Sequence, residues 1–200
     1  LEQAEDFETA LHQMIRKTIK DHKNIIFNGN GYDDSWIREA TEKRGLLNYR
    51  TTADCVPHLL DKKNVDMLTA HGVFSEAELK SRYEITLENY CKTVVIEANT
   101  MVDMAKTEIA PAVEAYVADV AKAVAAKKAV DATLPCTYEM GLVKKLSMLC
   151  DRIAIKTEEL ETILKEIQET ENIGTEANAI RDTLLGKMYE LRLACDEAET

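Results

Sequence analysis

Two hundred residues and 22.5 kDa are enough for one ordinary domain, or for one domain with a helical extension. With 7 Gly and 3 Pro the chain is too poor in turn formers for a β-sandwich or barrel, and 46% hydrophobic residues argue against wholesale disorder. A net charge of −11 argues against nucleic acid or an anionic membrane as partner, and no apolar run is long enough to span a bilayer.

The chain begins at Leu1 with no initiator Met, signal peptide or targeting arm, and it reads as a piece of a longer protein. Residues 3–24 predict an amphipathic helix with Phe7, Leu11, Met14, Ile15, Ile19 and His22 on one side. Its acids (Glu2, Glu5, Asp6, Glu8) precede its bases (Arg16, Lys17, Lys20, Lys23), which complements the helix dipole. Ile25-Ile26-Phe27 could form a minor strand at 25–27, and the two Asn-Gly pairs of 28–31 predict a sharp reversal. A helix over 34–43 follows, with Gly45 at its C′ position. Thr52 or Asp54 caps a short helix carrying Val56, Leu59 and Leu60, and another near 62–70 stops at Gly72.

The pattern lengthens at Ser75, which forms a capping box with Glu78. Leu87, Tyr90, Val94, Ala98, Met101, Ala105, Ile109, Ala112, Tyr116, Val120 and Ala123 then recur at 3-4-4 spacing, predicting one helix over 76–128 about 80 Å long. Pro111 predicts a kink or break within it. From about Tyr138, Val143, Leu146, Cys150, Ile153, Thr157, Leu160, Leu164 and Ile167 make a heptad seam. Asn172-Ile173-Gly174 breaks it, and Thr175 caps a last helix carrying Ala177, Ile180, Leu184, Met188, Leu191, Cys195 and Ala198. The fold expected is all-α: short helices over 1–74 that read as a connecting region packed against something, then long helices over 75–200. The long helices form an antiparallel bundle or coiled-coil arm.

Catalytic chemistry is hard to find in these residues. Cys55, Cys91, Cys136, Cys150 and Cys195 are odd in number and contain no C-x-x-C pair, as expected for reduced thiols in a cytoplasmic protein. Cys91, Cys150 and Cys195 occupy apolar helical positions, where cysteine acts as a small hydrophobe. No Glu-x-x-His motif precedes His12, His22, His58 or His71, and Cys55-x-x-His58 lacks the second pair that a zinc site needs. Gly29-x-Gly31 resembles the start of a dinucleotide loop, but Asp34 stands where its third glycine belongs, and a turn is the better reading. Gly186-Lys187 lacks the rest of a phosphate loop. Glu84, Glu88, Glu97, Asp103 and Glu108 read as a solvated face, with a buried acid pair as the rival. Tyr83, Tyr90 and Tyr116 read as a core or interface stripe rather than a pocket lining. The expected site assignment is therefore none: no catalytic, cofactor-binding or metal residue.

The segments IIFNGNGYDDSWIREATEKRGLLN (25–48), TTADCVPHLL (51–60) and HGVFSEAELKSRYEITLENYCKTVVIEANTMVDMA (71–105) are similar to the C-terminal region of type III glutamine synthetases. The likeness covers at least residues 20–112 and departs at Asp33, where the family more often has Ser. The resemblance implies an ATP- and Mg/Mn-dependent ligase that joins ammonia to glutamate through a γ-glutamyl phosphate and assembles as large rings. The family's metal, glutamate and ATP residues lie on an upstream barrel domain, and none of those motifs appears here. The expected role is thus a non-catalytic helical module serving architecture or subunit assembly. Its partners would be its own catalytic domain and neighbouring subunits of a homo-oligomer. The alternatives are a regulatory binding module and, least favoured, a self-contained enzyme.

Overall fold

The computed structural model describes residues 6–199, and among these the architecture is all-helical, with no strand. Two compact units divide at Arg50 and Thr51. In the first, α1 (Phe7–His22) is capped by Asp6, whose carboxylate accepts the Thr9 N–H at 3.4 Å. The start of this helix expected at residue 3 lies outside the described residues. Its apolar side forms as predicted, yet α1 buries no residue, and Phe7 and Ile19 are more than half exposed. A 3₁₀ turn at Lys23–Ile25 stands where the strand at 25–27 was expected, and Ile26 is extended without a strand partner among the described residues. Short α2 (Asp34–Arg38) runs into a π turn over Glu39–Lys43 and ends at Gly45, whose φ of 66° is the left-handed conformation a helix stop uses.

The second unit opens with α3 (Thr52–Cys55), capped by Thr51 rather than by Thr52 or Asp54, because the Thr51 hydroxyl accepts the Asp54 N–H. It continues as a 3₁₀ turn through Leu60, followed by α4 (Lys62–Ala70) and Gly72 at φ 64°. These short elements lie against α5 (Glu76–Met104), and Ala53 and Val56 join the main core. The capping box forms in full: Glu78 accepts the Ser75 N–H at 2.7 Å, and Ser75 Oγ accepts the Glu78 N–H at 3.3 Å.

Pro111 breaks nothing. It has no N–H, and its ring would collide with the Thr107 carbonyl in a regular α-helix. The chain widens instead into a π turn over Ala105–Ile109, in which the Ala110 N–H donates to the Ala105 carbonyl. Helix then continues as α6 (Ala110–Val130), so Glu76 to Val130 is a single run of 55 residues. The extra residue has a consequence for the inward stripe. Each residue advances a helix by about 100°, so one added residue turns every later side chain by that amount. Leu87, Val94, Ala98 and Ala105 are buried as predicted, but Ala112, Tyr116 and Ala123 are turned out to the surface, while Val120 stays half-buried. Val113 is buried and Val117 and Val124 are half-buried in their place.

The loop 131–136 returns the chain into α7 (Thr137–Gln168). Its seam holds: Leu146, Ile153, Thr157, Leu160, Leu164 and Ile167 are buried, with Val143 and Cys150 half-buried. Buried Thr157 satisfies its hydroxyl on the Ile153 carbonyl at 2.7 Å. The last helix starts earlier than expected. Asn172, not Thr175, caps α8 (Ile173–Ala179), accepting the Thr175 N–H at 3.0 Å, and Gly174 lies inside the helix. A further π turn (Ile180–Leu184) leads into α9 (Leu185–Glu199). Ion pairs record the antiparallel registers. Lys106–Glu161 and Lys127–Glu139 step in opposite directions along the long helix and α7, as do Arg152–Glu197 and Lys187–Glu159 along α7 and α9.

The core runs where these helices meet, and Leu160 is completely buried in it. Leu160→Ala should lower the unfolding free energy by about 2–5 kcal/mol in urea titration, whereas Tyr116→Ala, on the rotated outer face, should change it little.

Candidate functional site

The most specific motif, FNGNGYDDSW with the helix after it, folds into a local knot in the first unit. Phe27 and Trp36 stack with centroids 3.8 Å apart and planes 17° from parallel. The Arg44 guanidinium lies 4.9 Å from the Trp36 ring centroid and 5.8 Å from that of Phe27. Its Nη1 donates to the Ile26 carbonyl at 2.6 Å, and Nε and Nη2 donate to Glu39 Oε1 at 2.9 and 2.6 Å. A planar fork carrying several donors and able to lie on a ring is what this position needs, and lysine cannot supply it. Asp33 caps α2 by accepting the Ser35 N–H at 2.7 Å, and that bond holds its carboxyl below the usual range. Serine is also a favoured cap, so the departure from the family pattern at Asp33 keeps the same local function.

In the second unit the charged groups knit helices together. Lys156 and Lys187 each reach both Glu159 and Glu190, at 2.8 to 3.2 Å, across α7 and α9. Arg181 ties α3 to the π turn before α9 through Asp54 at 2.6 Å. Lys187, tested above as a phosphate-loop residue, belongs to this lattice, and Gly186 is an ordinary helical position. Sequence reading passed over Arg44 and Arg181, because beside their local partners Glu39 and Asp182 they reach Ile26, Trp36 and Asp54 on other elements, which no local spacing announces.

The other residues singled out from sequence do not converge. Cys55 is exposed, and His58 Nδ1 lies 2.9 Å from Asp61 Oδ2. Gly29 and Gly31 sit in the loop before α2, with no βαβ unit around them. Glu84, Glu97, Asp103 and Glu108 are exposed, and Glu88 pairs with Lys92 at 2.9 Å, so the buried acid pair does not form. Tyr83 and Tyr90 pack against the core, and the Tyr90 hydroxyl is buried without a hydrogen-bond partner. Among the described residues no three His, Cys, Asp or Glu side chains come together as metal ligands. Among the described residues no helix is long and apolar enough to cross a membrane.

A groove of about 600 Å³ opens where α6, α7 and the end of α9 meet, lined by Ile109, Ala112, Tyr116, Tyr138 and Leu142 with Glu108 at its edge. Tyr116 faces it because of the π turn.

The described residues thus define an all-helical domain with an aromatic knot in its first unit. A family model described as glutamine synthetase C-terminal domain matches residues 10–128, and the chain belongs to that family. It is 36% identical over 196 residues to a glutamine synthetase of Butyrivibrio fibrisolvens, covering 98% of this chain and 28% of that protein. It is 27% identical over 196 residues to the type-3 glutamine synthetase of Dictyostelium discoideum, covering 96% and 26%. The chain thus spans about a quarter of the length of the curated relatives it matches.

Arg44→Ala should free Trp36, the chain's single tryptophan, shifting its emission to longer wavelength and costing about 1–3 kcal/mol of local stability by amide exchange in α2; Arg44→Lys should rescue little. Buried Cys91 has its thiol pushed up to about 11, first by desolvation and then by Glu176. The folded state keeps this proton while the unfolded chain loses it, so stability should fall as pH rises from 9 towards about 11. Urea midpoints across that window should show the fall, and Cys91→Ala should flatten part of it.

Proposed function

We propose that this chain is the C-terminal helical module of a type III glutamine synthetase, an ATP-dependent glutamate–ammonia ligase. In this reading the module is not catalytic and contributes architecture and subunit assembly in the cytoplasm. ATP and the divalent cation belong to the rest of the polypeptide, and the partners are its own catalytic domain and neighbouring subunits. The observation that carries the reading is the amount of apolar surface left open by helices that are otherwise well formed. α1 has an apolar side and buries nothing. α6 carries 5 charged residues in 21 positions yet buries only Val113. A solitary amphipathic helix is marginal in water, and one that is apolar on several sides calls for cover on several sides.

A second reading, a regulatory binding module, is favoured by the groove beside Tyr116 and Tyr138. Its walls combine apolar and aromatic side chains with the carboxylates of Glu108 and Glu199, a composition suited to a small ligand or a partner's side chain.

The two readings separate in the full-length polypeptide. Removing residues 76–200 should abolish assembly and activity together. Full assembly and activity after that deletion would overturn the architectural role. Charges introduced on the open stripe, Tyr116→Glu with Ala123→Glu, should lower the solution mass measured by light scattering. If mass is kept while only inhibition or activation changes, the regulatory reading is the correct one.

A further inference from the structure

The two Asn-Gly pairs between α1 and α2 share a sequence but not an environment. Gly29 lies under the Phe27 ring, where an added Cβ would come within 2.6 Å of ring Cζ. A side chain there would have to displace the Phe27 ring from its stack on Trp36. Gly31 has nothing within 4 Å of its Cβ position, and its φ is outside the left-handed region, so neither packing nor backbone calls for glycine. Asn28 and Asn30 are both exposed. Asn30 is held in place: its Oδ1 accepts the Tyr32 N–H at 3.1 Å, and its carbonyl accepts the Asp33 N–H at 3.3 Å. The reversal expected of the Asn-Gly pairs thus becomes a turn centred on Gly31 and Tyr32. It presents the Asn30 amide carbon, polarised through its oxygen, beside Gly31, whose Cβ side is open.

We propose that Asn30-Gly31 is a site of spontaneous deamidation, and that the Phe27 ring protects Asn28-Gly29 from the same reaction. Hydroxide removes the Gly31 amide proton, giving water. The nitrogen attacks Asn30 Cγ, the new N–Cγ bond closes a succinimide, and the Cγ–Nδ2 bond breaks. The departing nitrogen takes a proton from water and leaves as ammonia. Water then opens the ring at either carbonyl, giving aspartate or isoaspartate at position 30. No oxidant or reductant takes part. Isoaspartate lengthens the main chain by one carbon within the turn that brings Asp33 to the start of α2. The modification therefore loosens the cap and the Phe27–Trp36 stack behind it.

The test follows the full chain during incubation at mildly alkaline pH. The tryptic peptide covering residues 24–38 contains Asn28 and Asn30 together with Asn24, and fragmentation that separates aspartate from isoaspartate reads each position. Position 30 should convert several-fold faster than position 28, more quickly at higher pH, with Trp36 emission shifting in step. In denaturant the gap should close, because the fold creates it. Gly31→Ala fits the backbone and meets no atom, so it should leave Trp36 emission and helicity unchanged while slowing conversion at position 30 several-fold. The proposal is overturned if position 28 keeps pace in the native chain. It is also overturned if neither position converts while an isolated peptide of the same sequence does, if the gap persists in denaturant, or if Gly31→Ala leaves the rate unchanged.

Discussion

Burial of the α7 seam governs the second unit, because α7 packs against both the long helix and the last one. Leu146, Ile153, Leu160, Leu164 and Ile167 step along it at alternating intervals of three and four residues or their sums, so each neighbour needs an apolar stripe in register with them. The long helix and the 173–199 helix supply those stripes from opposite chain directions. The charges follow the apolar register: Lys106–Glu161, Arg152–Glu197 and the Lys156, Lys187, Glu159, Glu190 lattice all lie at the borders of the seam. Half-exposed pairs of this kind contribute little energy each, and their larger effect is to disfavour slipped alignments.

The long helix meets that demand in two pieces. Up to Ala105 its inward side is the one the spacing predicts, and after Pro111 it is the neighbouring one. The π turn reconciles a proline with an unbroken helix, and its cost is carried by the flanking core, where Ala105 is almost fully buried. The displaced stripe of Ala112, Tyr116 and Ala123 becomes available outside. Open apolar surface on α6 is thus produced by backbone geometry as much as by composition, and it is this surface that an assembly role would use.

The first unit is held by different physics. Its aromatic and charged groups close over one another within about twenty residues, leaving the apolar side of α1 out of the knot. Arg44 does several jobs at once, satisfying carbonyls before the Asn-Gly loop, pairing with Glu39 and lying against Trp36. Among the described residues neither unit brings together a metal-ligand set, and the first unit's most specific motif forms a structural knot.

Helix identity, the Ser75 cap, the stops at Gly45 and Gly72, the α7 seam and the resemblance to the glutamine synthetase C-terminal region were all legible in the residues. Each depends on short-range spacing or on a run of matching letters, both of which the one-dimensional pattern preserves. Which residue caps the last helix, which side of α6 faces inward, and where Arg44 and Arg181 reach were decided by tertiary structure. A single extra residue in a helical turn leaves the letters unchanged yet rotates everything after it, and a guanidinium 5 Å or less from partners on other elements carries no periodic signal. The sequence by itself determined that the helices form and where most of them stop. Only packing decided which of their surfaces remain open.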